Sequence, residues 1–230
     1  YCEKNKGRIF FNFNYRFSAL AKILQNIQDT DCIGGVMLIN AAISHGLAFK
    51  DGYERSWRAN YEPNKSVVLD TSLIHLVDLF NYIHRSSDTL SVVSCQSSSF
   101  YYGSDTCSIT LSGTKGLVIN LFASYAAPYQ FKMSATGTDG LIEINRDGYA
   151  LYSPRDTFND EGLFIDPPKQ ESRNYNFECD YVQSLKNSLE YFMDHLDAKD
   201  ELSISHYDTS LETMEFLMEG EQQISSVIKT

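Results

Sequence analysis

None of the 13 glycines falls in a G-x-G-x-x-G or G-x-x-x-x-G-K-[ST] arrangement, so the 230 residues contain no glycine-rich turn that could cradle a nucleotide phosphate. G-x-S-x-G and H-E-x-x-H are missing too, which removes the nucleophile-elbow and helical zinc-protease signatures. Basic residues are scarce, 19 Lys+Arg against 30 Asp+Glu, for a formal net charge of −11. Such a surface repels phosphate backbones and anionic lipid heads, which argues against nucleic acid or a membrane surface as main partner. An anionic small molecule would need a local basic pocket. The longest uncharged run, residues 32 to 49, is interrupted by Gly34, Gly35, Asn40, Ser44, His45 and Gly46 and reads as a buried strand with its turns, not a membrane span. The five cysteines are odd in number and never paired as C-x-x-C, which excludes a zinc ribbon or disulfide framework and points to a reducing cytoplasm. His45, His84, His195 and His206 form no metal-ligand spacing, and none of the residues is assigned to a metal. The chain opens at Tyr1 without Met or signal-peptide pattern and reads as a piece of something longer.

What is present suits a packed domain: 43% hydrophobic residues, 13% aromatics and 5 prolines. Residues 9 to 15 are apolar and aromatic enough for a strand. Phe17, Leu20, Ile23, Leu24 and Ile27 then recur at helical spacing behind Ser18, a natural N-cap. A strand over Ile33 to Ile43 and a helix over Thr71 to His84 follow. From Leu90 to Tyr152 short β-branched and aromatic runs alternate with turn signals, which predicts antiparallel strands. The segment from Ser153 to Asn174 reads as a surface loop. Two helices close the chain, one over Phe177 to Leu196 and one starting at Thr209 with the capping-box pair Thr209 and Glu212. Clustered strands with separate helices predict an α+β fold: an open, mostly antiparallel mixed sheet with helices on one face. Phe122, Tyr125, Tyr129 and Phe131 either cover the second face as a self-association surface or join the helix-side core.

The richest polar cluster is Lys50, Trp57, Arg58, Asp70, Thr71, Ser72, His75 and Asp78. His75 and Asp78 stand three apart and share a helix face. An imidazole can take a proton from a hydroxyl near neutral pH, and a neighbouring carboxylate can orient it. The same pair also reads as a hydrogen-bonded core histidine and its neighbour, Asp70 as an N-cap, and Trp57 as core.

Asn14-Tyr15-Arg16-Phe17, Ile33-Gly34, Ser56-Trp57-Arg58, Leu69-Asp70, His75-Leu76-Val77-Asp78-Leu79 and Thr136 to Ile144, in that order and spacing, resemble the C-terminal domain of the glucose-fructose oxidoreductase, inositol dehydrogenase and MocA (Gfo/Idh/MocA) family over nearly the whole chain. The resemblance implies a fold like the C-terminal domain of glyceraldehyde-3-phosphate dehydrogenase. It also implies an intact two-domain oxidoreductase whose N-terminal Rossmann domain binds NAD or NADP. Residues 1–13 would be the remnant of that domain's end, and residues 14–230 the substrate-binding and oligomerisation domain. Cys2-Glu3-Lys4 is not the family's Glu-Lys-Pro motif, because Asn5 stands in the proline's place and Lys4 lies too close to Asn14.

Carried over by position, His75 matches the histidine that takes the proton of a substrate hydroxyl as hydride leaves for the nicotinamide. Asp78 would position it, and Arg16, Lys50, Trp57, Arg58 and Thr71 would line the substrate cleft. The family's carboxylate four residues before the histidine is Thr71 here, with Asp70 one residue early. The implied substrate is a sugar, cyclitol or nucleotide-sugar hydroxyl, and the implied assembly a homo-oligomer through the sheet face. The fragment alone should be inactive and should bind no cofactor. The alternatives are a non-catalytic member with a degenerate site, motivated by Thr71, and an unrelated binding module.

Overall fold

The computed structural model describes residues 9–60, 65–84, 88–95, 104–153, 158–197, 202, 204–205 and 207–227. Eight strands form one sheet: β1 (Val36–Ser44), β2 (Asp88–Cys95), β3 (Thr106–Ser112), β4 (Val118–Ser124), β5 (Gln130–Gly137), β6 (Gly140–Asn145), β7 (Gly148–Tyr152) and β8 (Lys169–Asn174), in the order β2-β3-β4-β1-β5-β6-β7-β8. Every neighbouring pair is antiparallel except β1 and β4, which run parallel. Alternation along the strands sends Ile39 and Ala41, Ile109 and Leu111, Ile119 and Leu121, Phe131 and Met133, and Ile142 and Ile144 to one buried face. The helices α1 (Ala19–Thr30), α2 (Ile74–His84), α3 (Phe177–Asp194) and α4 (Tyr207–Val227) complete the fold. Leu76, Val77, Leu79 and Phe80 of α2 join the same apolar core as the inward strand residues. The expected α+β architecture is the one observed.

The opposite face is polar rather than aromatic. Thr110 Oγ1 donates to Asn120 Oδ1 (3.0 Å) and Asn120 Nδ2 to Asn40 Oδ1 (3.1 Å), a ladder across β3, β4 and β1. Beside it Lys132, Ser134, Glu143 and Asn145 help line a shallow hollow of 440 Å³. Of the four aromatics weighed for this face, Phe122 alone lines the hollow. Phe131 and Tyr125 are buried in the core. Tyr129 is exposed and donates its hydroxyl to Glu178.

Ser18 caps α1 as expected, accepting from the Ala21 N–H at 3.0 Å. Residues 9–13 are not a strand. Phe11 exchanges its backbone hydrogen bonds with the Ser205 hydroxyl, which donates to its carbonyl (2.8 Å) and accepts from its N–H (2.9 Å), so no ladder partner is needed. A 3₁₀ turn, Asn14–Phe17, follows. Residues 1–8, including the Cys2-Glu3-Lys4 segment and Asn5, lie outside the described residues.

The first strand begins at Val36, three residues later than expected, because Ile33 to Gly35 bind the β5–β6 turn: Asp139 N–H donates to Ile33 O (2.8 Å) and Thr138 N–H to Gly35 O (3.1 Å). Gly34 has φ +68°, and a Cβ on Gly137 would lie 2.0 Å from the Ile33 carbonyl oxygen, so both glycines are demanded by this contact. The tail of the expected loop is β8, whose side chains are all exposed; an edge strand needs only its backbone, and Lys169, Glu171 and Arg173 discourage further pairing. The last helix starts at Tyr207, which places Thr209 and Glu212 inside it. There they bind other elements: Thr209 Oγ1 accepts from Arg16, and Glu212 Oε2 from Asn81.

Candidate active site

The parallel register sets Ser44 beside Ser124, so His45 and Tyr125 leave the sheet side by side. The His45 N–H donates to Ser124 O (3.0 Å), and the two rings stack with centroids 4.8 Å apart. Tyr53, buried, meets the Tyr125 ring edge-on at 6.4 Å. Facing Tyr125 is the approach to α2, wound as a single π turn over Leu69–Leu73 before the α-helix begins. Such turns hold one extra residue and recur at functional sites. The Thr71 hydroxyl donates to the Val67 carbonyl (2.5 Å), which leaves its lone pairs to accept from the Tyr125 hydroxyl, also at 2.5 Å. Ser72 Oγ stands 3.4 Å from the same phenol oxygen.

His75 follows Thr71 by four residues, about one helical turn. Its ring lies 5.4 Å from the Tyr15 ring, and its Nδ1 is buried with no hydrogen-bond partner. Burial pushes the imidazole below its ordinary pKa. It is therefore neutral at pH 7, the state in which it can accept a proton. Burial also raises the Tyr15 phenol, helped by Tyr181, Tyr129 and Asp180, so Tyr15 stays a neutral wall.

Three residues on, Asp78 turns the other way, into the core. Arg16 Nε and Nη2 grip its two carboxylate oxygens at 2.8 and 2.5 Å, and both side chains are 0% exposed. Thr213 Oγ1 donates to Asp78 Oδ1 (3.0 Å), while Arg16 Nη1 donates to Ile204 O (3.1 Å) and Thr209 Oγ1 (3.0 Å). Burial raises the Asp78 carboxyl, and the Arg16 and Thr213 bonds oppose that rise. This corrects the expectation for Arg16: its nitrogens are engaged in the core, and it clamps α2 to α4 instead of lining a cleft. Asp78 bonds Arg16 and Thr213 and not the imidazole.

Asp70 lies near enough to Glu221 of α4 for its charge, together with partial burial, to raise that carboxyl, and Lys65 Nζ is 3.7 Å from Glu221. Thr71 is the residue turned towards Tyr125. Lys50 is exposed, as is Trp57, against the reading of Trp57 as core. Arg58 lies over the Trp57 ring at 4.5 Å. His45 is held below its ordinary pKa, first by burial and then by the Arg58 charge, against an opposing backbone hydrogen bond. The structure thus gathers Thr71, Tyr125 and His45 in one chain of contacts, sets Arg58 near enough for its charge to lower His45, and carries His75 one turn further along α2. Tyr125, His45 and Tyr53 escaped the sequence reading, since only the β1–β4 pairing singles them out among the chain's 15 tyrosines and five histidines.

Among the described residues no group of His, Cys, Asp and Glu could hold a metal ion. No described helix is long and apolar enough to cross a membrane. The described glycines do not fit a dinucleotide: Gly34 and Gly35 lead into a strand, the space at Gly34 is taken by Thr138, and among the described residues no glycine-rich turn opens a helix.

No curated protein matches the chain. Among solved structures it is similar to an oxidoreductase from Agrobacterium radiobacter in complex with NAD+, L-tartaric acid and magnesium, at 17% identity and TM-score 0.75, over 97% of this chain and 65% of that one. Levoglucosan dehydrogenase in complex with NADH and levoglucosan is similar at 15% identity and TM-score 0.70, over 96% and 66%. A myo-inositol dehydrogenase from Corynebacterium glutamicum gives 17% and 0.64, over 92% and 60%. These likenesses establish the fold, and the chain spans less than two thirds of the length of each of these proteins. The profile of the GFO/IDH/MocA C-terminal domain matches residues 22–143, from α1 through β6 and more than half of the sequence, so the chain belongs to that family.

Proposed function

We propose that the chain is the substrate-binding and oligomerisation domain of an NAD(P)-dependent oxidoreductase acting on a sugar, cyclitol or nucleotide-sugar hydroxyl. The observation that carries this reading is His75: a neutral imidazole with an unpartnered buried nitrogen, on the helix that also presents Thr71 to Tyr125. His75 takes the proton of the substrate hydroxyl, and Arg16 with Asp78 keeps α2 in place behind it. NAD or NADP would be the hydride acceptor. This chain's glycines do not hold it, so its binding falls to residues of the intact protein outside these 230, and the fragment alone has no turnover. Thr71 and the Tyr125 hydroxyl offer neutral hydrogen-bonding groups where the family has a carboxylate. The free Cys32, Cys95 and Cys179 thiols, all exposed, suit a reducing cytoplasm. Of the proposed cleft residues Lys50, Trp57, Arg58 and Thr71 remain; Arg16 does not.

A non-catalytic role with a degenerate site is the competing reading, favoured by Thr71 standing where the family has a carboxylate and spending its hydroxyl on Val67 O. Formation of reduced nicotinamide by the intact protein across a panel of sugars and cyclitols separates the two. Turnover that depends on His75 supports the enzyme. Binding of a sugar without any turnover supports the degenerate domain.

A further inference from the structure

The loop between β1 and α2 contains a guanidinium that finds no hydrogen-bond or ion-pair partner among the described residues. Arg58 is half-buried, yet its Nε is fully buried without a hydrogen-bond partner, and among the described residues Arg58 makes no ion pair. Its neighbour Arg55 pairs with Glu54 at 3.5 Å, so that carboxylate is directed elsewhere. Trp57 supports the guanidinium from one side, at 4.5 Å, a contact that fixes its plane without using its N–H groups. His45 lies close enough to feel the Arg58 charge and rests on Tyr125, whose hydroxyl reaches Thr71, one helical turn before His75. A buried N–H left unpaired is unfavourable, and a planar guanidinium held by stacking is shaped for two-point binding of an oxyanion. In a chain of net charge −11 such a group marks a local exception to the surrounding field.

We propose that Arg58, flanked by His45, binds an oxyanion borne by the substrate, so that this site takes an acidic sugar or a sugar phosphate in preference to a neutral one. The inference rests on the reading of this cleft as the substrate site and narrows the substrate class. The oxyanion end lies at Arg58, and the hydroxyl to be oxidised lies towards His75, with Tyr125 and Thr71 between them. A carboxylate and a phosphate share the chemistry that Arg58 recognises, so both are probes.

The test is calorimetric titration of the intact protein with D-glucuronate, D-glucose 6-phosphate and D-glucose. At least one of the two anions should bind about tenfold or more tightly than glucose, as expected for a charged hydrogen-bonded pair. Arg58→Gln should abolish that preference, and Arg58→Lys, which keeps the charge but loses the fork and the stacking, should restore it in part. Whichever anion shows the preference identifies the group as carboxylate or phosphate. Equal affinity for the three ligands, an unchanged preference in folded Arg58→Gln, or no binding of any of them overturns the inference. His75-dependent turnover of neutral sugars alone would leave the oxidoreductase reading standing without it. Tight anion binding with no nicotinamide reduced would do the reverse.

Discussion

Removing either partner of the Arg16–Asp78 pair should destabilise the protein far more than an ordinary polar substitution. Both side chains are 0% exposed, and two nitrogens of Arg16 contact two oxygens of Asp78. Asp78→Asn keeps the shape and removes the charge, so the buried guanidinium retains only Ile204 O and the Thr209 hydroxyl besides neutral amide contacts. Stranding a buried charge costs about 3–5 kcal/mol, a large part of the ~5–15 kcal/mol that holds a typical domain together. Arg16→Met should cost a similar amount, because Asp78 then keeps only Thr213 among these partners. Combining Arg16→Met with Asp78→Asn removes both charges and should cost well under the sum of the singles, a coupling of about 3 kcal/mol. Equilibrium urea unfolding with unchanged m-values reads these differences directly. If either single variant lost less than about 1 kcal/mol and instead weakened sugar binding, the assignment of Arg16 to the core would be refuted.

Two further outcomes follow from burial and from the sheet. His84 stacks on Phe80, with centroids 6.2 Å apart, and burial pushes its pKa from 6.5 down to about 4. The unfolded chain therefore binds a proton that the folded one refuses. Stability is full above pH 6.5, falls as pH drops towards 4, and levels off below it, a total of about 3 kcal/mol. His84→Gln should flatten that part of the urea-midpoint profile, and an identical slope in both proteins would contradict the argument. For the proposed sheet-face oligomer, Asn120→Arg at the centre of the Thr110–Asn120–Asn40 ladder should convert the assembly to monomers in sedimentation velocity. A wild-type protein that sediments as a monomer at micromolar concentration would rule that assembly out.

Periodicity revealed α1 and α2 because each buries an apolar face, and Ser18 announced the first by its position; α3 has the same spacing, but Tyr181, Leu189 and Phe192 are exposed and its buried positions are Phe177, Ser184 and Ser188. Periodicity missed β8, whose residues are all polar and exposed, and it made a strand of residues 9–15, where the aromatics of residues 9–13 pack on Phe192 and Tyr207 and a 3₁₀ turn begins at Asn14. Within the site, the three-residue spacing placed His75 and Asp78 on one helix. It did not show that one side chain would face Tyr15 and the other the buried Arg16. Asp70 and Thr71 stand one residue apart, and it is the π turn that directs Thr71 to Tyr125. Tyr125 and His45 depend on a parallel pairing between strands about eighty residues apart, a register that no local pattern encodes.

The measurement closest to the central claim is the turnover of His75→Ala in the intact protein, with nicotinamide binding followed in parallel. Loss of the base proposed to take the hydroxyl proton predicts a fall in kcat of about 10²-fold or more, with cofactor affinity and urea midpoint near wild type. Unchanged kcat in a folded, cofactor-binding His75→Ala protein would contradict the account and remove His75 from the chemistry.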